Sequence, residues 1–448
     1  MSIFKAYDIR GVYGDELDES LAYRVGRALP GLLGGNRALV GRDARLSSPS
    51  LAEALERGIA DAGCDVDDVG LASTPMVYFF TAEFGYDFSV QVTASHNPAA
   101  YNGFKISRRG ALPVGYDTGL AELEALCHAP APAPAAHRGA LAKKDYLPEF
   151  LAFLARFRPD FGGLRVVVDC SDGMAALTAR SLFKGCDATF IADTPDGAFP
   201  DHPPNPLEEA GRANVIRAVR DARADLGVIF DGDADRVMFV DERGEFVRPD
   251  LMIAPMAIPF LRRHPGAPIL HDVRTSRGVT EFLSSAGAKP FIWKVGHAFA
   301  KVKLRELDAP FGGEYAGHYY FRDFHWCDSG ELAALVALGE IAAARAKGTA
   351  FSQLIAPVDR YANSGELNFR IDDKDAAIAR AVAALRAERE PDRILDFDGF
   401  RLDYPDWWVS LRKSNTEPYL RLLVEASDES RLAERVALMK RLIGVSEG

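Results

Sequence analysis

The stretch ALVGRDARLSSPSLAEALERGIADAGCDVDDVGL, residues 38–71, reads as a strand, a polar loop, an amphipathic helix, a turn at Gly63 and a second strand. Two further stretches share this rhythm: LRVVVDCSDGMAALTARSLFKGCDATFI (164–191) and APILHDVRTSRGVTEFLSSAGAKPFIW (267–293). In each, the loop after the first strand carries an aspartate (Asp43, Asp169 or Asp272), and a helix is expected to run to Gly63, Gly185 or Gly287. Strand, helix and strand in succession imply parallel pairing and α/β layers. The three stretches look like repeats; a common α/β rhythm without shared ancestry is the alternative.

The 448 residues are too many for one hydrophobic core and suggest roughly three or four compact units. Apolar residues make up 48% and charged residues 26%, a globular balance that gives no sign of disorder. The net charge of −11 argues against general binding to nucleic acid or to a membrane surface, which needs a basic face. Cys64, Cys127, Cys170, Cys186 and Cys327 are odd in number and lack C-x-x-C spacing, so reduced thiols are expected. The opening MSIFKAYDIRG has no apolar leader, and the longest apolar run, 251–261, is broken by Pro255 and Pro259. A cytoplasmic protein is expected. The Ala/Pro alternation of HAPAPAPAAHRGA (128–140) favours an extended surface connection. After residue 360 the order changes to a smaller α+β unit with helices expected over 376–389 and 430–442.

The sharpest local signal is LGVIFDGDADRVMFV (226–240), in which an apolar strand runs into Asp231, Asp233 and Asp235 before another apolar strand. Three carboxylates at i, i+2 and i+4 stay ionised together only around a cation, and a hard divalent ion is the natural one. An EF-hand would place Glu242 at its twelfth position, but its sixth is Arg236 instead of Gly and the flanks are strands. A haloacid-dehalogenase phosphatase also begins with D-x-D after a strand, but normally continues with Thr or Val where Ala234 stands. A solvated acidic turn is the remaining alternative.

Three other motifs bear chemistry. In VQVTASHNPAAYNGFKI (90–106) a strand ends at Thr93-Ala94-Ser95-His96-Asn97-Pro98, which alone could be a turn. No G-x-S-x-G elbow surrounds Ser95 and no acid is evidently placed for His96, so a serine near a metal suggests phosphate in place of acyl transfer. LRKSNTEPYLRL (411–422) gathers Arg412, Lys413, Ser414, Asn415 and Thr416 over a tight turn, a nest suited to a phosphomonoester or an ordinary turn. FGGEYAGHYYF (311–321) sets Glu314 and His318 among glycines and aromatics, as a sugar-reading loop or as the edge of an aromatic core.

Taken together and in this order, the four motifs resemble the α-D-phosphohexomutase family over nearly the whole chain. The resemblance implies an α/β protein of four domains, three related α/β units and a C-terminal α+β domain, around a central cleft. The limits implied are 1–148 with the phosphoserine loop, 149–250 with the metal loop, 251–360 with the sugar loop and 361–448 with the phosphate loop. Ser95 would be the phosphorylated residue, and Asp231, Asp233 and Asp235 would bind Mg2+ together with a phosphoserine oxygen. Arg236 would touch the same phosphate. Glu314 and His318 fall on the sugar loop, and Arg412, Ser414, Asn415 and Thr416 on the loop gripping the non-reacting phosphate. FKAYDIRG (4–11) places Tyr7 and Arg10 at the cleft, YNGFKI (101–106) places Lys105 beside Ser95, and KVGHAF (294–299) places His297 near the sugar. Arg274 stands where the family has Lys or Arg. Lys105, Arg10 and His318 are the candidates for proton transfer.

The implied reaction moves phosphate between a hexose 6-phosphate and a hexose 1-phosphate through a phosphoserine enzyme, with a hexose 1,6-bisphosphate as intermediate and activator. The partner is a small-molecule phosphosugar, the protein a monomer or homodimer, and the C-terminal domain able to open for reorientation. Ser414-Asn415-Thr416 resembles phosphomannomutases and the dual mannose/glucose enzymes, whereas glucosamine phosphate mutases usually carry Ser-Gly-Thr. HYYFRDFHWCDSG (318–330) points the same way. Against this, Glu314-Tyr315-Ala316 replaces the common Glu-Met-Ser, so Ala316 removes one hydroxyl contact to the sugar. A phosphoglucosamine mutase and a Mg2+-dependent sugar phosphatase with Asp231 as nucleophile are the alternatives.

Overall fold

The computed structural model describes residues 2–130, 135–414 and 418–445. Three α/β sheets follow one another along the chain, and each contains the same four-strand unit. In the first, Arg37–Arg42 pairs in parallel with Asp65–Leu71 on one side and Phe88–Val92 on the other, and Tyr101–Arg108 adds antiparallel to Phe88–Val92. In the second, Arg165–Asp169 lies between Asp187–Ile191 and Leu226–Phe230, and Val237–Asp241 adds antiparallel. In the third, Pro268–Asp272 lies between Lys289–Trp293 and Phe311–Gly313, and Tyr319–Phe321 adds antiparallel. The repeats expected from the sequence therefore share strand order and direction, because each crossover places the next strand beside the first.

One element departs from expectation. The helix expected to reach Gly185 is only a 3-10 turn, Met174–Leu177, and a single α-turn, Ala179–Leu182. The chain before it is tied elsewhere: Ser171 and Asp172 adopt left-handed backbone, and Met174 N–H donates to the Gly232 carbonyl in the acidic loop. Too few residues remain for a longer helix. The first and third repeats keep full helices at Ser48–Asp61 and Arg277–Ser285.

Each α/β unit has a core of its own, around Leu55 and Phe88 in the first, Val215 and Ile229 in the second and Leu270 and Leu304 in the third, and all three also share one. One apolar cluster runs from Leu39 and Phe79 of the first through Val168 and Phe230 of the second to Ile269, Phe324 and Leu335 of the third. Its wedge is the helix Thr74–Glu83, capped by the Ser73 hydroxyl and started by Pro75, with every residue from Thr74 to Thr81 buried. A helix apolar all round must be covered on every side, and Phe79 stacks on Phe324 of the third unit at 5.9 Å. The C-terminal unit is different. Its sheet is antiparallel, its helices Lys374–Glu388 and Glu429–Ile443 cover one core, and that core contains only residues from this unit. It meets the third unit through polar contacts, with Arg401 donating to the Val273 and Thr275 carbonyls and Glu425 accepting from Arg277 N–H. The part of the Ala/Pro connection over 135–140 lies against the C-terminal end of the helix Ser48–Asp61, where Ala135 N–H donates to the Asp61 carbonyl and Gly139 N–H to the Ala60 carbonyl. All five cysteines are free thiols. Among the described residues no helix is long and apolar enough to cross a membrane.

Candidate active site

Three of the four motif loops occupy one equivalent place in the repeats, the hairpin joining the third parallel strand to the antiparallel fourth. The loop after Val92 carries Ser95, the loop after Phe230 carries the aspartates, and the loop after Gly313 carries Glu314 and His318. The strand-end pairs Val92 with Phe104, Phe230 with Val237 and Gly313 with Tyr319 fix where each loop begins and ends. The loop after the first strand of each repeat supports its own hairpin loop. Thr93 Oγ1 donates to Asp43, Ser171 Oγ to the Phe230 carbonyl, and Tyr315 N–H to Asp272. This is why an aspartate or a hydroxyl recurs at those turns.

The hairpin loops converge. Ser95 is held at φ 51°, and its hydroxyl donates to Asp231 Oδ2 at 3.0 Å. The approach is close enough that a Cβ on Gly232 would fall 2.6 Å from the Ser95 carbonyl oxygen. Asp231, Asp233 and Asp235 are fully buried and bring one oxygen each within 4.8 Å of the others. Lys105, from the strand beside Ser95, gives its ammonium to Asp233 at 2.7 Å and Asp235 at 2.6 Å. Burial opposes its charge, but these two carboxylates outweigh burial and its pKa is raised. Burial pushes the Asp231 carboxyl up to about 7 against the pull of Arg236, whose Nε lies 2.9 Å away. The other Oδ of Asp233 and of Asp235 is buried with no hydrogen-bond partner, and so is one Arg236 nitrogen. Orphaned carboxylate oxygens side by side fit a divalent cation, and a spare guanidinium N–H beside Ser95 fits a phosphate oxygen. Glu242 is no part of this set: it accepts from Ser352 N–H and Oγ at the far end of its strand.

His318 joins the same cluster, with its backbone bridged to Arg236. Its Nδ1 is 2.7 Å from Asp328 and 3.8 Å from Asp235. Burial disfavours the charged ring, yet Asp235 and Asp328 outweigh it and the pKa is raised. Asp328 in turn pairs with Lys301, fully buried and 3.5 Å above the Tyr78 ring. His297 lies 5.9 Å from the His318 ring and is kept neutral by burial. Glu314 accepts from Tyr320 Oη at 2.5 Å and from Gly296 N–H at 3.1 Å, and burial raises its pKa. Tyr7 reaches the same corner, with its hydroxyl donating to the Val295 carbonyl. Arg10 pairs with Asp8 and donates to Asn97 in the Ser95 loop. His96 Nδ1 is 3.2 Å from Ser95 Oγ, but among the described residues no carboxylate hydrogen-bonds its ring, and burial holds its pKa well below the ordinary value.

The fourth loop is seen in part. Arg412 is buried against Asp398 at 3.2 Å, and Ser414 N–H donates to the Tyr419 carbonyl. Asn415 and Thr416 lie outside the described residues. Arg274 reaches from the third unit to Glu366 at 3.3 Å, and Glu366 also meets Arg421 at 2.8 Å. A network of three arginines and three carboxylates, Asp272, Glu366 and Asp398, thus spans the junction of the third and fourth units.

Models of the phosphoglucomutase/phosphomannomutase family match the chain four times in order: α/β/α domain I at residues 1–130, domain II at 145–244, domain III at 248–361 and the C-terminal domain at 366–442. The chain belongs to this family. A phosphomannomutase of Escherichia coli is 40% identical, with 98% of this chain and 99% of the relative covered. One of Vibrio cholerae is 36% identical, with 99% of each covered. A solved family member from Burkholderia thailandensis superposes with a TM-score of 0.88 at 33% identity, covering 99% of this chain and 98% of the other. An N-acetylphosphoglucosamine mutase of Aspergillus fumigatus, solved with glucose 1,6-bisphosphate, shares the fold at 15% identity and a TM-score of 0.61, covering 99% of this chain and 95% of the other.

Several residues of the site escaped the sequence reading. Thr74, at the start of the wedge helix, donates to Asp233 Oδ2 at 2.5 Å, and its N–H donates to the Asp233 carbonyl. Asp328 and Lys301 stand behind His318. None has a spacing signal, because each partner is distant in sequence. Arg45 did have one, the repeated D-x-R of Asp43-Ala44-Arg45 and Asp272-Val273-Arg274.

Proposed function

We propose that this chain is a phosphomannomutase that also accepts glucose phosphates, moving phosphate between carbon 1 and carbon 6 through a phosphoserine at Ser95. The observation that carries the reading is the Ser95 hydroxyl 3.0 Å from Asp231, within a buried carboxylate trio that retains unpaired oxygens. Asp231, Asp233 and Asp235, with a phosphoserine oxygen, would hold Mg2+. Bound there, the ion would neutralise charge on the transferring phosphoryl group.

The remaining chemistry belongs to the chain's own side chains. Arg236 offers its unpaired nitrogen to the phosphate on Ser95, and Lys105 adds a permanent positive charge beside it. His318 is our choice for moving the proton to and from the sugar hydroxyl. Its Nδ1 is engaged by Asp328, which leaves Nε2 for the substrate, and its raised pKa lets it act as either acid or base. Lys105 and Arg10 are already committed to carboxylates. Glu314 accepts sugar hydroxyls beside His297 and Tyr7. Arg412, Ser414, Asn415 and Thr416, with Arg274, grip the phosphate that is not reacting. Such a grip is indifferent to which carbon bears the phosphate, so the bisphosphate intermediate can turn round and bind again.

Intact-mass analysis should find one added phosphate that disappears in Ser95→Ala, together with all isomerase activity. Mannose 1-phosphate and glucose 1-phosphate should both be converted when Mg2+ and a hexose 1,6-bisphosphate are supplied. An active Ser95→Ala enzyme that releases inorganic phosphate would replace this reading with a phosphatase. Turnover of glucosamine phosphate alone would replace it with a glucosamine mutase.

A further inference from the structure

Arg45 is a charged side chain with no exposed surface, placed directly behind the Ser95 loop. A guanidinium has five N–H donors, and here all five are engaged. Nε donates to Asp43 at 3.1 Å. One terminal nitrogen donates to the carbonyls of Pro98 at 2.7 Å and Tyr101 at 3.1 Å. The other donates to the carbonyls of Ser95 at 2.8 Å and Asn97 at 2.6 Å. Four of the five bonds therefore end on the main chain of one loop. Asp43 closes the arrangement, since it accepts from Arg45 N–H, Ser48 Oγ and Thr93 Oγ1, and Thr93 Oγ1 accepts from Ser95 N–H. The second domain seals it from outside: the Phe199 ring lies 5.0 Å from the guanidinium, and a Cβ on Gly197 would fall 2.3 Å from the Ala44 carbonyl.

The same D-x-R turn recurs in the third repeat with a different outcome. Arg274 also folds back on its aspartate, but its outer nitrogen reaches Glu366 at the junction of the domains. One copy of the motif thus faces the phosphate-gripping cluster and the other faces a backbone. That backbone needs help, because left-handed φ is strained for a serine, and the loop must keep Ser95 there in every turnover.

We propose that Arg45 is a positioning residue for phosphoryl transfer, which clamps four carbonyls of the Ser95 loop so that the seryl oxygen stays in line with the metal site. This rests on the reading of Ser95 as the phosphate carrier. The test is Arg45→Lys, which keeps a positive charge beside Asp43 but lacks the planar fork needed to span four acceptors. For mannose 1-phosphate, kcat should fall about 100-fold, the order associated with a small misplacement of a reacting group, while KM stays within about threefold. Hydrogen exchange over residues 93–104 should quicken at least about tenfold, with other peptides unchanged. Phe199→Leu, which removes only the covering ring, should quicken exchange in the same segment and serves if the lysine variant does not fold. Unchanged exchange over 93–104 overturns the proposal, as does faster exchange throughout the protein or a rise in KM with kcat intact. A wild-type enzyme without phosphoserine or isomerase turnover would sink the functional reading alone, and the exchange comparison would still decide whether Arg45 clamps the loop.

Discussion

Replacing Glu331 with Gln should stabilise the protein at pH 8 and leave it nearly unchanged at pH 4.5. Glu331 is fully buried where the wedge helix meets the helix Gly330–Arg345, and its side-chain partners are two neutral hydroxyls, Ser73 Oγ at 3.0 Å and Ser329 Oγ at 3.1 Å. Burial pushes its carboxyl from 4.5 up to about 7. A carboxyl whose folded pKa is raised holds its proton in the native state where the unfolded chain has lost it. Stability therefore falls as pH rises from 4.5 towards 7, and the loss is complete above that window. At 1.36 kcal/mol per unit, the full loss is on the order of 3 kcal/mol. Glutamine fills the same space without titrating, so the difference between variant and wild type should grow across the window. Chemical denaturation of the unit formed by the first three domains, followed at half-unit pH steps, measures it. A difference that is flat from pH 5 to pH 8 would refute the reasoning, because the two hydroxyls would then be satisfying the charged form.

Four other outcomes are expected. Thr74→Val removes the hydroxyl donor to Asp233 and should weaken Mg2+ binding about 10- to 100-fold by calorimetry, as loss of an outer-shell partner does. Asp328→Asn frees His318 and should lower kcat for either phosphosugar by about 10- to 100-fold, with the acid limb of the pH profile moving down as the ring loses a negative neighbour. Phe79→Ala opens the cluster shared by three domains and should cost about 3–5 kcal/mol, read as one earlier denaturation step and not as loss of a single domain. Small-angle scattering should show contraction on adding mannose 1-phosphate, because the core of the fourth domain is separate from that of the third; one rigid shape with and without ligand would count against domain opening.

What could be read in the sequence was whatever is carried by neighbours in the chain. Residues 38–71 and 267–293 declare strand, loop and helix through local periodicity, and the structure has all of them. Asp231, Asp233 and Asp235 crowd like charges along the chain, and the structure brings one oxygen of each within 4.8 Å of the others. The second repeat misled because 171–174 serves the acidic loop, a tertiary tie with no local signature. The same holds for Thr74, which is 159 positions from its partner Asp233, and for the buried Lys301 behind Asp328. Length and composition suggested several cores, which the structure has, but the further cluster that the wedge helix shares among three domains could be revealed only by contact between distant segments. Ser95 was ambiguous in its own motif. Its neighbours in space, Asp231, Lys105 and Arg236, give it a chemical setting that its neighbours in sequence do not.

The equivalence of the three hairpin loops has a consequence for how such a protein can change. Each loop begins and ends at a fixed pair of strand residues, so its interior can be rewritten without moving the sheet that carries it. Glu314 to Gly317 is such an interior, bounded by Gly313 and Tyr319. His318 is less free, because its backbone is bridged to Arg236 in the neighbouring loop. Under the proposed role of this loop in reading the sugar, a lineage, or an engineer, could trade one epimer for another at Tyr315 and Ala316 while the sheet and the neighbouring loops stay as inherited. The substrate is written in a replaceable clause, and the reaction in the fixed frame around it.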